Sequence, residues 1–437
     1  MLDTTVRLPF WRRLAYSRLS FLMIGASLFC FFGSVFFAGL FPYAGAIRCG
    51  SVGVIIFSAT VSLLEDNKKF NLMTAGVLAL CFMIFILFNR GDSLIQGSDR
   101  TWFLFFASCM LVSFLLRGEL SRWLEFSAKL IAIFALIHAT ATVVFFVIPN
   151  LYTGWFKPCF YASVYTANGY KAGLSNHYST NAMYLAWGLI TSFYFWQASE
   201  QRASRKWQIV AIVIFIAILL TTKRAHLVFG LASCLVVYLL LNHGKGFGAV
   251  IKMVSFAICV LVVFCIAAQF VPELAGVVDR IQGAKIDEGR SSYYGVCLDL
   301  FASSPFLGHG WGSFTAALYQ SGVSDVVRLI RQGNLSQNAH NVYLQLLAEE
   351  GLVGFLLFMS FAISALGCSV RSALTSCRNR DGSRGLYALS GGVQVFFLLY
   401  CITGNPLYDL AEYTVYLLLG VAPSLLLLAT HSRNWRS

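Results

Sequence analysis

The sequence predicts an all-α polytopic membrane protein with about twelve transmembrane helices and a large helical extracytoplasmic loop before helix 10. Three observations carry this reading. Of 437 residues, 58% are hydrophobic and only 12% are charged, whereas soluble globular domains carry about 25% charged residues. The mean hydropathy is +0.72. Apolar runs of spanning length, about 17–25 residues, recur along the whole chain, so no soluble class competes.

In order, the runs fall at about 20–40, 43–64, 70–89, 101–117, 123–148, 178–197, 207–222, 225–242, 247–271, 344–367, 386–403 and 410–429. An even number leaves both ends on one side. Eighteen Lys and Arg residues, from Arg7 to Arg436, lie on the side of the termini, against six (Arg90, Arg100, Lys157, Lys171, Lys223 and Arg224) in the short opposite loops. That bias places both termini in the cytoplasm. It also accounts for most of the net charge of +13, so no nucleic acid is needed as a partner. Arg7, Arg12, Arg13 and Arg18 precede the first run, which no small-residue cleavage site ends; it reads as a retained span, not a signal peptide. Most of the twelve cysteines sit in apolar runs and no CxxC occurs, which points away from a zinc site or a disulfide framework.

Three units follow: 1–271 with helices 1–9, 272–343 as an extracytoplasmic loop subdomain, and 344–437 with helices 10–12. A shorter outer loop, 149–177, carries Trp155, Phe156, Tyr161 and Tyr165 and suits the membrane interface. The long loop reads as two helical pieces, around Ser291–Ala302 and Gly312–Arg331. Pro305 and the glycines of Phe306-Leu307-Gly308-His309-Gly310-Trp311-Gly312 force a turn between them.

The chain is organised around Asn338 to Phe355, where polar residues run into an apolar helix. On a continuous helix Leu347, Gly351 and Gly354 follow His340 by seven, eleven and fourteen places and share its face. Two small residues there let a neighbouring helix come close below the imidazole. Glu349 and Glu350 fall about 15 Å further along, at a 1.5 Å rise, too far to touch it.

Ionisable residues at membrane depth are candidates for function. On the outer side these are Arg48, Lys223, Arg224, His226, Arg290, His309 and His340. Arg224 follows a tight turn between two spans; it either snorkels to headgroups or aims at a phosphate. Arg290 opens the Ser-Ser-Tyr-Tyr helix, and an arginine beside a helix N-terminus makes an anion site. His340 fits either a helix cap or a general base, being neutral near pH 7 and able to take a hydroxyl proton. The outer histidines His177, His226, His309 and His340 lack the i, i+4 spacing of a metal pair, and no HExxH or DxD accompanies them, so no metal is assigned.

The run His340-Asn341-x-Tyr343-Leu344-x-x-Leu347-x-x-Glu350-Gly351-x-x-Gly354, preceded by Arg290 and by Pro305-x-x-Gly308-x-Gly310-x-Gly312-x-Phe314, resembles the O-antigen ligase and O-antigen polymerase superfamily. The resemblance covers about Gly173 to Phe358. It implies a metal-independent membrane glycosyltransferase that uses no cofactor. Such an enzyme moves a glycan from undecaprenyl diphosphate to a glycan or glycolipid acceptor on the outer face of the cytoplasmic (inner) membrane, with membrane lipid around it. His340 matches the proposed base, and Arg224 and Arg290 match the arginines that hold the diphosphate. Lys223, Arg48 and Tyr343 complete the substrate-binding set. Here the turn reads Thr-Thr-Lys-Arg, not serine-rich, and Lys223 is an extra cation. Ligase and polymerase of lipid-linked repeat units share these features. A lipid-linked oligosaccharide flippase or other transporter is the reading from another class; it requires ionisable residues deep in the spans, where only Lys129 and His138 of the fifth helix stand out.

Overall fold

A computed structural model describes residues 18–41, 43–66, 74–89, 120–161, 169–242, 290–321, 338–379 and 384–424, with single positions at 251, 255 and 262. Every regular element among them is helical. In chain order the main helices are α1 (Arg18–Phe36), α2 (Ala44–Asp66), α3 (Thr74–Phe88), α4 (Leu120–Val147), α5 (Tyr178–Ala198), α6 (Gln201–Thr221), α7 (Arg224–Leu241), α8 (Ser291–Ser303), α9 (Ser313–Gln320), α10 (Val342–Asn379), α11 (Arg384–Tyr400) and α12 (Leu410–Val415). α12 runs on as a π-helix, Tyr416–Val421. The predicted spans at 101–117 and 247–271 lie outside the described residues, three positions of the second apart, as does Tyr165.

Four stretches are long and apolar enough to cross a membrane by length and composition: Ser121–Val147, Gln201–Thr221, Arg224–Leu241 and Val342–Thr375. Shorter apolar helices cover Leu22–Phe36, Ala44–Ser58 and Val77–Ile86. α5 lies at the centre, packed on α4, α6, α7 and α11, and is buried on every side from Asn181 to Phe195. A helix apolar all round needs such enclosure.

Two ionisable residues within the helices are paired locally. Lys129 bonds Glu125 one turn away at 2.7 Å. Fully buried His138 meets the Phe36 carbonyl at 3.0 Å and Asn181 Oδ1 at 3.2 Å. The π-turn of α12 leaves the Gly420 carbonyl to Gln394, whose amide donates to it at 3.0 Å and to Ser369 at 2.7 Å.

The segment 149–161 is an aromatic knot in which Phe145, Tyr152, Phe156 and Tyr161 are buried together, while Trp155 stays exposed. Tyr161 donates to the Leu174 carbonyl at 2.8 Å. Loss of solvation pushes its hydroxyl up to about 12, ahead of the nearby Tyr152.

α8 and α9 do not stand apart from the membrane helices. Cys297, Phe314 and Leu318 share one buried cluster with Ala339 and Ala348, against which Leu344 packs. Of the predicted second piece, Ser313–Gln320 is helical; its remainder, 322–331, lies outside the described residues. The Pro/Gly turn is confirmed by left-handed backbone at Gly308, Gly310 and Gly312, with φ of 67°, 87° and 90°.

One element departs from the sequence reading. α10 is broken at Gly351, with φ 63° and ψ −167°, and His340 precedes its first turn with φ 56°. His340, Leu347, Gly351 and Gly354 therefore do not line one continuous face. The cause is the 305–310 loop, which supplies the hydrogen bonds the helix gives up. Gly310 N donates to Glu349 O at 2.6 Å and His309 N to Ala348 O at 3.3 Å. Leu352 N donates to Pro305 O at 2.8 Å and Val353 N to Phe306 O at 3.1 Å. Backbone groups freed from a helix must find partners elsewhere. Only Gly354 admits a neighbouring helix, facing Phe85 of α3.

Candidate active site

Two segments carry the non-glycine residues of positive φ among the described residues. Thr222 (φ 61°) closes α6 and His340 (φ 56°) precedes α10. Left-handed backbone at a β-branched threonine costs free energy and concentrates at functional sites. Here it turns the chain so that Lys223 caps α7 and Arg224 begins it.

His340 keeps an exposed edge, but its surroundings are cationic. Partial withdrawal from water, then the charges of Arg290, Lys223 and His177, hold the imidazole down to about 4. It is therefore neutral at pH 7, with one of its two ring nitrogens unprotonated. Its Nδ1 lies 3.3 Å from the Asn405 amide nitrogen. The helix start is secured separately: Asn341 Oδ1 accepts Leu344 N at 3.1 Å, and Val342 N donates to Cys401 O at 2.9 Å.

Arg290 stands at the N-cap of α8, as the sequence suggested. Its Nη1 lies 3.5 Å from the Thr403 carbonyl, a long contact that leaves the guanidinium most of its donor capacity. Lys223 Nζ sits 4.1 Å from the Tyr178 ring centroid. His177 caps α5, accepting Ser179 N at 3.1 Å, and burial followed by the Lys223 charge holds it to about 4.

His340, Arg290 and Lys223 are thus brought together, and Arg224 arrives on the same turn as Lys223. Arg48 and Tyr343 are tied to helix backbone: Arg48 Nε bonds Ala44 O at 3.3 Å, and the Tyr343 hydroxyl donates to Leu398 O at 2.8 Å. Among the other histidines singled out in the sequence, His226 is buried against Tyr400, and His309 contacts Ser303 Oγ at 2.7 Å. Among the described residues no group of three His, Cys, Asp or Glu converges.

Sequence reasoning missed the loop from Cys401 to Asp409, which touches the site at Thr403 and Asn405. A signal was present. Sorting outer residues by basic charge alone passed over Asp409 and Glu412, which follow the Gly404-Asn405-Pro406 turn at the end of an apolar run.

Glu349 and Glu350 are both fully buried. Glu349 accepts Phe314 N at 3.2 Å, Gln345 Nε2 at 3.1 Å and the Tyr408 hydroxyl at 2.9 Å. Glu350 accepts the Asn89 amide at 3.0 Å. Neither touches the imidazole; both fasten loops to α10.

Long apolar helices around a polar mouth lined with cations define an all-helical integral membrane protein. Residues 209–359, from α6 to α10, match the family model described as O-antigen ligase, which supports membership of the O-antigen ligase and polymerase superfamily. No curated protein gives a significant match to the chain. The matched segment contains Lys223, Arg224, Arg290, His340 and Tyr343, but neither Arg48 nor the 401–409 loop.

Proposed function

We propose that this protein is an O-antigen ligase-like glycosyltransferase. It moves a glycan from undecaprenyl diphosphate to an acceptor glycan or glycolipid on the outer face of the cytoplasmic membrane, and both termini are cytoplasmic. The observation that carries this reading is a neutral imidazole beside Arg290 and Lys223. His340 Nε2 takes the proton of the acceptor hydroxyl as its oxygen attacks the anomeric carbon. The bond from that carbon to the diphosphate oxygen breaks, and undecaprenyl diphosphate leaves with the electron pair. Arg224, Arg290 and Lys223 hold the negative charge developing there, in the place where other transferases use a metal ion. In-line attack inverts the anomeric centre. Arg48 and Tyr343 form the margin of the substrate-binding set.

The test is reconstitution of the purified protein with undecaprenyl-diphosphate glycan, with and without a separate acceptor. A ligase forms product only with the acceptor. A polymerase lengthens the donor alone. Movement of intact donor across the bilayer without bond cleavage would overturn the assignment in favour of a transporter.

The same geometry fixes a pH dependence. In the free enzyme His340 protonates only near pH 4, so kcat/KM should hold steady down to that region. Bound diphosphate offsets the charges of Arg290 and Lys223. Its negative charge favours the imidazolium and raises the pKa, so the acid limb of kcat should lie at higher pH than that of kcat/KM. Profiles in which the kcat limb lies lower would contradict the placement of the diphosphate.

A further inference from the structure

The contact between His340 and Asn405 can be built in two ways. With the amide nitrogen toward Nδ1, the imidazole must accept there and carries its proton on Nε2. That tautomer presents a donor, not a base, to an acceptor hydroxyl. With the amide turned, Oδ1 accepts Nδ1–H and the Nε2 lone pair is free. Amide orientation is decided by the hydrogen-bond network. In the first orientation Asn405 Oδ1 is buried with no donor; turning the amide gives that oxygen the imidazole N–H and places the amide nitrogen in the buried position instead.

We infer that Asn405 is a positioning residue for His340: its amide oxygen accepts Nδ1–H, fixes the tautomer and leaves Nε2 unprotonated toward the acceptor. This rests on the reading of His340 as the base. It adds a residue outside the segment that matches the ligase family.

The loop bearing Asn405 is fastened well enough for this. Three residues on, Tyr408 donates to fully buried Glu349 at 2.9 Å and stacks on Trp311 at 4.4 Å between centroids. The same carboxylate accepts Gln345 Nε2, and Gln345 Oε1 accepts Ala339 N at 3.0 Å, immediately before His340. Glu349 therefore holds both the strained backbone that carries the imidazole and the loop that orients it. The charged groups acting on His340 from the packed elements are Arg290 of α8, Lys223 of α7 and His177 of α5; Asn405 adds a hydrogen bond without a charge.

The experiment compares Asn405→Ala and Asn405→Asp in the reconstituted full-length protein, with Tyr408→Phe as a milder variant that keeps the ring stack. Asn405→Ala should lower kcat about 10²-fold, the scale of a misplaced catalytic group, with donor KM unchanged. Asn405→Asp should recover most of that rate, with the acid limb of kcat moved to higher pH, because a carboxylate at Nδ1 favours the imidazolium. Tyr408→Phe should lower kcat less, again without a change in KM. Parent rates in both Asn405 variants, or an Asp variant with an unmoved limb, would overturn the inference and leave the transferase reading intact. Full activity in His340→Ala would remove that reading, and the inference with it.

Discussion

In His340→Ala, glycan transfer falls by about 10²–10⁴-fold, the range that a positioned general base contributes. Donor binding survives, because the residues proposed to hold the diphosphate are untouched. A group that acts only in the transition state changes kcat with little change in KM. Arg290→Ala separates the second role. It removes fixed positive charge from the leaving diphosphate and costs about 10²–10³-fold, as loss of one preorganised donor does elsewhere. It also releases His340 from a nearby cation, so the imidazole titrates at higher pH in the free enzyme. Arg290→Lys restores charge but not the planar fork, and recovers only part of the rate. Single-turnover transfer with purified, monodisperse variants measures all three. His340→Ala with undiminished transfer would sink the assignment.

What could be read from the sequence follows from which features are local. Arg290 before Ser291, the Lys223-Arg224 turn and the Pro305–Gly312 loop each announce themselves within a few residues, since caps, short inter-span turns and Pro/Gly clusters are short-range chemistry. The fold class came from composition, which needs no geometry. The break in α10 was hidden because apolar periodicity continues on both sides of Gly351. The partner that allows the break, the 305–310 backbone, lies some forty positions earlier. Glu349 looked idle for a related reason. Its work runs through Gln345, Tyr408 and Phe314, which converge only in three dimensions. Asn405 lies in a turn followed by acidic residues, with no basic or titratable side chain of its own to mark it.

The break also defines a graded series of glycine substitutions. Gly351 sits at φ 63°, ψ −167°, a region only glycine occupies readily. A Cβ there would run into the backbone carbonyl of Phe306, and one on Gly308 into that of Glu349. Neither obstacle is a side-chain end that can swing aside, because each backbone is pinned by the hydrogen bonds between 305–310 and 348–353. Gly351→Ala should therefore cost about 2–6 kcal/mol, combining backbone strain with overpacking. The escape route is to straighten the helix through residue 351. That abandons the bonds to Pro305, Phe306, His309 and Gly310 and withdraws Glu349 from Phe314 and Tyr408. Transfer should then fall even in the fraction that remains folded. Gly354→Ala is milder only because residue 354 keeps helical backbone and so adds no left-handed strain: its Cβ would still run into Glu350 Cβ, which cannot swing aside, and meet the Phe85 ring at 3.0 Å, an overpacking cost of about 1–3 kcal/mol. Gly367→Ala, with nothing within 4 Å, should match the parent. Melting temperatures in detergent, read beside transfer rates, should fall in the order Gly367→Ala, Gly354→Ala, Gly351→Ala. Equal stability at 351 and 367 would mean that α10 runs straight and that the Pro/Gly loop has no hold on it.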